Sequence, residues 1–173
     1  MAIIEAIATT YLEADAASVT FSSIPTTYEH LQVRGSHRTS AGTSGQPFYI
    51  ELNATAGTGY SSHGMIGTDT TVSGQPQTGT AAIAIWDGTH GTLVNAADYA
   101  TIIMDVMDYR NANKNTTVQL FMADAMTLSG ASRVTFASGL WDDTAAITQI
   151  KFTPSSGNMV RGSEFTLYGL NSS

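Results

Sequence analysis

The sequence predicts an all-β protein of one domain, a sandwich or barrel of short antiparallel strands spanning residues 1–173. Composition is the first reason. Charged residues make up 12% of the chain, against about 25% in an average soluble domain, and 25 Thr and 17 Ser supply the polarity instead. Threonine suits a pleated, half-buried surface, whereas Lys, a favoured residue of exposed helices, occurs only as Lys114 and Lys151. The second reason is pattern: apolar and polar residues alternate in many short segments separated by turn-rich stretches. The third is length, ample for one domain and thin for two, with neither a linker nor a fixed-period repeat to divide it.

Residues 1–17 read as an N-terminal arm or a first strand. Ile3, Ile4, Ile7 and Tyr11 fit an i, i+4 helical stripe, yet Thr9 and Thr10 suit extended chain. Val19 and Phe21 alternate within 18–24, and Pro25 is expected to end that run because it cannot donate to a ladder. In 28–38, Leu31, Val33, Gly35 and His37 share one face, with His30, Gln32 and Arg34 on the other. Phe48, Ile50 and Leu52 likewise oppose Tyr49, Glu51 and Asn53. Segments 81–86 and 99–109 are richer in Ile, Met and Val. In the second, Ile102, Met104 and Val106 oppose Ile103, Asp105 and Met107, so both faces read as partly buried.

The Asn-rich stretch 110–115 tolerates left-handed backbone and predicts a hairpin into Val118, Leu120 and Met122. Val134 with Phe136, Ile150 with Phe152, and Phe165 with Leu167 mark three more strands, the last two joined through 154–158. The total is roughly nine or ten strands. Segments 39–46, 67–80 and 87–98 read as long loops, the first places to look for contacts at the ends of a sandwich.

The chemistry of catalysis finds little support. The formal net charge of −7 disfavours a nucleic-acid partner, since that affinity comes largely from Lys and Arg releasing counterions. Cysteine is absent, which excludes a thiolate nucleophile and Cys-ligated metal. The longest apolar run, 81–86, is far short of the ~20 residues of a membrane helix, so no membrane partner is expected. Residues 1–7 carry Glu5 and no basic stretch, which predicts assembly without Sec-type export.

His30, His37, His63 and His90 share no metal-ligand spacing. Asp142 and Asp143 suit turn capping better than paired acid–base work, and Asp105 with Asp108 is the other carboxylate pair. Asp69 and Asp87-Gly88 lack the pattern of a calcium loop. There is no G-x-S-x-G elbow, and Gly57-Thr58-Gly59 has no Lys to complete a phosphate loop. The expectation is therefore no enzyme, no catalytic or metal residue and no cofactor. Trp86, Trp141, Tyr49, Tyr60 and Tyr99 could form a sugar-stacking platform, though filling of a core is the commoner role.

Several segments carry a family resemblance. Ser18 to Pro25 and Tyr28 to Arg34 open it, and Asp108-Tyr109-Arg110-Asn111-Ala112-Asn113-Lys114 matches a D-Y-x-N-x-N-K turn. Gly139-Leu140-Trp141, Ala145-Ala146-Ile147-Thr148, Thr153 to Asn158 and Gly162 to Leu170 close it. In this order, over nearly the whole chain, they resemble a family of small virion proteins of tailed bacteriophages and cyanophages. The resemblance implies a jelly-roll-like antiparallel β-sandwich acting as a head decoration, or cement, protein. Such a protein would bind the major capsid protein on the outer surface of the shell and stabilise it, often as a homotrimer, after assembly in the host cytoplasm. Related sequences resemble modules of tail and head fibres, so the alternative is a receptor- or glycan-binding fibre module. The absence of a long fibre-forming extension favours decoration. Ile3, Ile4, Ile7 and Tyr11 are then the candidates for reaching a neighbour or the shell, and Trp86, near segments 67–80 and 87–98, for holding a host glycan.

Overall fold

The computed structural model describes residues 4–43, 45–54, 57, 59–93, 95–124 and 132–171, and their regular structure is all strand. β1 (Ile4–Tyr11), β2 (Val19–Phe21), β3 (His30–His37), β4 (Gln46–Leu52), β5 (Tyr60–Thr68) and β6 (Thr71–Thr80) form the first half. β7 (Ile83–Thr89), β8 (Ala100–Val106), β9 (Thr116–Asp124), β10 (Arg133–Trp141), β11 (Ile150–Pro154) and β12 (Glu164–Leu170) follow. A large sheet has the order β1-β12-β3-β8-β9-β10-β5-β6 and a small one the order β2-β11-β4-β7. Every strand pairing is antiparallel.

The topology is a jelly roll with two insertions. With the inserted strands β5, β6, β9 and β10 set aside, eight strands remain. Numbered afresh along the chain, they lie in the order 1-8-3-6 in one sheet and 2-7-4-5 in the other. Those two orders are the interlocked Greek keys of a jelly roll. The inserted strands all join the large sheet beyond β8 and double its width.

The alternation read from the sequence decides which face is dry. Leu31 and Val33, Ile102 to Val106 in alternation, Val118 to Met122, and Phe165 with Leu167 point inward from the large sheet. Phe48, Ile50, Leu52, Ile83, Ile85, Ile150 and Phe152 meet them from the small one. Burial of each such side chain stabilises the fold by about 1.5–3 kcal/mol. At the centre Phe152 lies 5.1 Å from Phe165, and the His37 ring stacks against both Phe48 at 4.3 Å and Phe165 at 5.4 Å. A Cβ on Gly139 would stand 2.6 Å from the Ile83 side chain, so glycine here lets β10 close on β7.

Polar groups stitch the sheets where the inserted strands overlie β4 and β7. The Tyr60 hydroxyl donates to the Leu52 carbonyl at 2.8 Å and accepts from the Leu52 amide at 2.9 Å. Ser62 Oγ donates to the Ala84 carbonyl at 3.1 Å. His37 Nε2 lies 2.8 Å from the Gly88 carbonyl, to which it donates. Arg133 stands between Asp124 at 3.5 Å and Asp87 at 3.7 Å, and His90 lies 3.7 Å from Asp124.

Several expectations need correction. β5 and β6 were not legible: segment 67–80, expected to be a loop, is the end of β5 and all of β6, which Thr, Gly, Gln and Pro disguise. The strand before Pro25 already stops at Phe21, and Ser23 adopts a left-handed φ of 55°. Val134 and Phe136 belong to a strand as expected, but both point to solvent. The N-terminal segment is neither helix nor free arm from Ile4 onward: β1 pairs with β12 from Ile4↔Leu170 to Tyr11↔Glu164, with a bulge between Ala6 and Ala8. Ile3 lies outside the described residues.

Two stability measurements test this core. Phe165→Ala empties the centre of the stack and should lower unfolding free energy by about 3–5 kcal/mol, read as a fall in urea midpoint. Burial holds the His37 imidazole down at about 4, against 6.5 for an ordinary one. The unfolded chain therefore takes up this proton near 6.5 and the native state only near 4. The contribution of neutral His37 is complete above 6.5 and drains away as pH falls to about 4, by about 3 kcal/mol. Burial raises the Asp124 carboxyl, so its contribution runs in the opposite sense. Urea midpoints across that window should fall with acid in the native sequence and flatten in His37→Phe.

Candidate functional site

The outer face of the large sheet carries an unusual row of side chains. Ile103 pairs with Phe121, Phe121 with Phe136, and Phe136 with Met65, so four large apolar residues stand side by side across β8, β9, β10 and β5. Three strand spacings make this row about 14 Å long. Ile103 is 41% exposed, Met65 51% and Phe136 53%. The Phe121 and Phe136 rings touch in a tilted pair, 5.0 Å between centroids. Val134 and Val72 extend the apolar surface on one side, in a row with Thr101, Ala123 and Gly67.

The register also builds a polar row on the other side, from Gln32 through Asp105, Gln119 and Ser138 to His63. One end is preorganised. Arg34 Nε donates to Gln32 Oε1 at 2.8 Å, Gln32 Nε2 donates to Asp105 Oδ1 at 2.7 Å, and the Arg34 guanidinium lies over the Tyr168 ring. A shallow cleft of about 400 Å³ runs between the two rows. Among the outward residues of β5, β8, β9 and β10, Asp105 alone carries a formal charge, on a chain whose net charge is −7.

The residues singled out in the sequence fall elsewhere. Ile4 and Tyr11 are exposed at the sheet edge, and Ile7 packs partly against the core. Trp86 is 40% exposed on the outer side of the small sheet, whereas Trp141 and Tyr60 are core residues stacked on each other. The Tyr99 hydroxyl donates to the Arg161 carbonyl. The five aromatics therefore form no common platform; only Tyr49 and Trp86 share an outer face.

The polar candidates are also dispersed. His30 Nδ1 accepts the Asp108 amide at 3.0 Å, and a hydrogen bond from Lys114 holds the Asp108 carboxyl below its usual range. His37 and His90 are buried between the sheets, and His63 is exposed on the large one. Asp143 caps its turn by accepting the Ala145 amide at 2.8 Å, and Asp142 accepts from the Asn115 amide group at 2.6 Å. Asp69 lies in the β5–β6 turn, while Asp87 faces Arg133. Among the described residues no three His, Asp or Glu side chains form a group able to hold a metal ion.

Sequence reasoning missed the apolar row because its members lie on four separate strands, Met65 in a segment without a strand signal and Phe136 in one whose apolar phase reads as inward. One signal was present: Ile103 sits opposite in phase to Ile102 and Met104, and Phe121 to Leu120 and Met122, so those segments are apolar on both faces.

Comparison with known proteins is sparse. No family model and no curated protein matches the chain. Among solved structures, the toad ovary galectin in complex with thio-digalactose is 8% identical, with 79% of this chain and 98% of that one covered and a TM-score of 0.28. The Scytalido-glutamic peptidase with a peptide-based transition state analog is 10% identical, covering 91% and 65%, with a TM-score of 0.26. The alginate lyase vAL-1 from Chlorella virus is 9% identical, covering 86% and 82%, with a TM-score of 0.25. Scores this low carry neither a ligand nor a reaction over to this chain.

Proposed function

We propose that this chain is a structural protein of a tailed-phage virion, a decoration or cement protein that binds the outer surface of the head and stabilises the shell without catalysing a reaction. Its contact surface is the outer face of the large sheet. The observation that carries this reading is the row Ile103–Phe121–Phe136–Met65 on the outer face of four strands, with Ile103, Phe136 and Met65 exposed and Phe121 half-buried against Phe136. A contiguous apolar patch of this kind on a soluble protein marks an interaction site. Its make-up is that of a protein interface: aromatic and Met side chains at the centre, charge depleted there, and Arg34 and Asp105 at the rim. The family resemblance of the turn and C-terminal motifs supports the location on a phage head.

The fold suits the mechanical task. A shell under outward pressure from packed DNA loads its fasteners in tension and shear, and antiparallel ladders share that load among many hydrogen bonds. The partners are the major capsid protein and two further copies of the chain. Trimerisation multiplies weak contacts through effective concentration. It also covers sheet edges that have no lysine to guard them, since Lys114 and Lys151 lie away from β1 and β6.

The experiment is a binding assay of the purified protein on expanded phage heads that lack it, with light scattering for oligomeric state. Heads should be saturated by particles of three times the chain mass. The double variant Phe121→Ser, Phe136→Ser should stay folded, because both side chains point away from the core, and lose at least about thirtyfold in head affinity. Unchanged affinity of that variant, or no binding by the native protein, rejects the reading.

A further inference from the structure

The opposite side of the sandwich carries a second site of different character. β4 and β7 present Tyr49, Glu51, Ala84 and Trp86 on the outer face of the small sheet. Tyr49 pairs with Ala84 on one side and Thr153 on the other. The small side chains of Ala82 and Ala84 leave space beside it, and the inserted β5–β6 hairpin closes that space with Gln77 and Thr80. The result is a cleft of about 540 Å³, within the ~300–1,000 Å³ usual for small-molecule sites.

The polar groups of this cleft are poised rather than spent. Glu51 is paired with Lys151 at 3.1 Å, and both side chains remain about a quarter to a third accessible, at 25% and 32%. Thr80 Oγ is held by the Ala82 carbonyl at 2.9 Å. The Tyr49 hydroxyl and the Gln77 amide group have no hydrogen-bond partner among the described residues. An aromatic side chain with its own free hydroxyl, bordered by a carboxylate and a free amide, matches the two-sided chemistry of a sugar. A pyranose offers an apolar C–H face to a ring and a fan of hydroxyls to its surroundings.

We infer that this cleft binds a neutral pyranose unit of a glycan, with the sugar's apolar face against Tyr49 and its hydroxyls on Glu51 and Gln77. The Glu51–Lys151 pair cancels charge at the rim, and the −7 net charge of the chain repels uronates, so the ligand is uncharged. Trp86, two residues beyond Ala84 on the same strand face, supplies a flanking surface for a longer chain. The site is independent of the attachment face, because the two lie on opposite outer surfaces of the sandwich.

Titration of the full chain by amide NMR tests this with methyl β-galactoside, methyl α-glucoside, methyl α-mannoside, N-acetylglucosamine and glucuronate, each to tens of millimolar. At least one neutral pyranoside should shift amides of residues 49–52 and 77–84, and glucuronate should not. Tyr49→Ala should weaken binding about tenfold. Gln77→Ala, on the exposed edge strand β6, should also weaken it and serves if Tyr49→Ala does not fold. Phe121→Ser with Phe136→Ser should leave sugar binding unchanged, which separates this site from the head contact. Absence of shifts with every neutral probe, shifts only elsewhere, a response to glucuronate alone, or undiminished binding by a folded Tyr49→Ala and by Gln77→Ala overturns the inference.

Discussion

Face-to-face packing of the two sheets through Phe48, Phe152, Phe165 and His37 is the constraint from which the rest follows. Sheets that share a dry interior must each turn one side-chain phase inward, and the other phase is thereby committed to solvent. Close approach leaves no tolerance at the contact points: between the sheets a Cβ on Gly139 would meet the Ile83 side chain at 2.6 Å, and within the large sheet one on Gly35 would meet the ring of its cross-strand neighbour Phe165 at 2.5 Å. The only ring in the central stack able to form a strong hydrogen bond, that of His37, spends it on the Gly88 carbonyl of the opposite sheet. Specific alignment of the sheets thus comes from a polar contact inside an apolar stack.

The two insertions change what this frame can do. A jelly roll of eight strands has sheets of equal width, but β5, β6, β9 and β10 all extend the same sheet. The small sheet cannot cover all of that extra inner surface. Tyr60, Ser62, Asp124 and Arg133, all on inserted strands, bridge to β4, β7 or the residues just after β7, beside the apolar Val118, Leu120, Met122 and Trp141 that the same strands add to the core. Outside, the same insertions lay down three of the four members of the apolar row, and β6 walls the cleft beside Tyr49. Both outer sites are therefore products of the inserted hairpins more than of the underlying jelly roll.

The two surfaces divide the physical chemistry between them. The large sheet offers apolar area with little charge, which suits an extended protein surface that expels water. The small sheet offers a concave, hydrogen-bonding pocket, which suits a ligand that is itself amphipathic. A chain with net charge −7 can place such a low-charge face against a partner without bringing its acidic groups together.

Composition and alternation by themselves determined the all-β class, the inward phase of β3, β4, β9, β11 and β12, and the hairpin at the Asn-rich turn, because a period of two reports local burial directly. They could not reveal β5 and β6, whose Gly, Ser, Thr and Gln residues lie at a wide sheet's edge and need little apolar signal. Nor could they reveal the sites. Ile103, Phe121, Phe136 and Met65 lie on four strands and become one row only through pairing register, and Tyr49 and Gln77 come to line one cleft only because the inserted β5–β6 hairpin lies beside the small sheet. Side-chain phase is a property of one strand, whereas a surface is a property of which strands are neighbours, and neighbours are chosen by the tertiary packing.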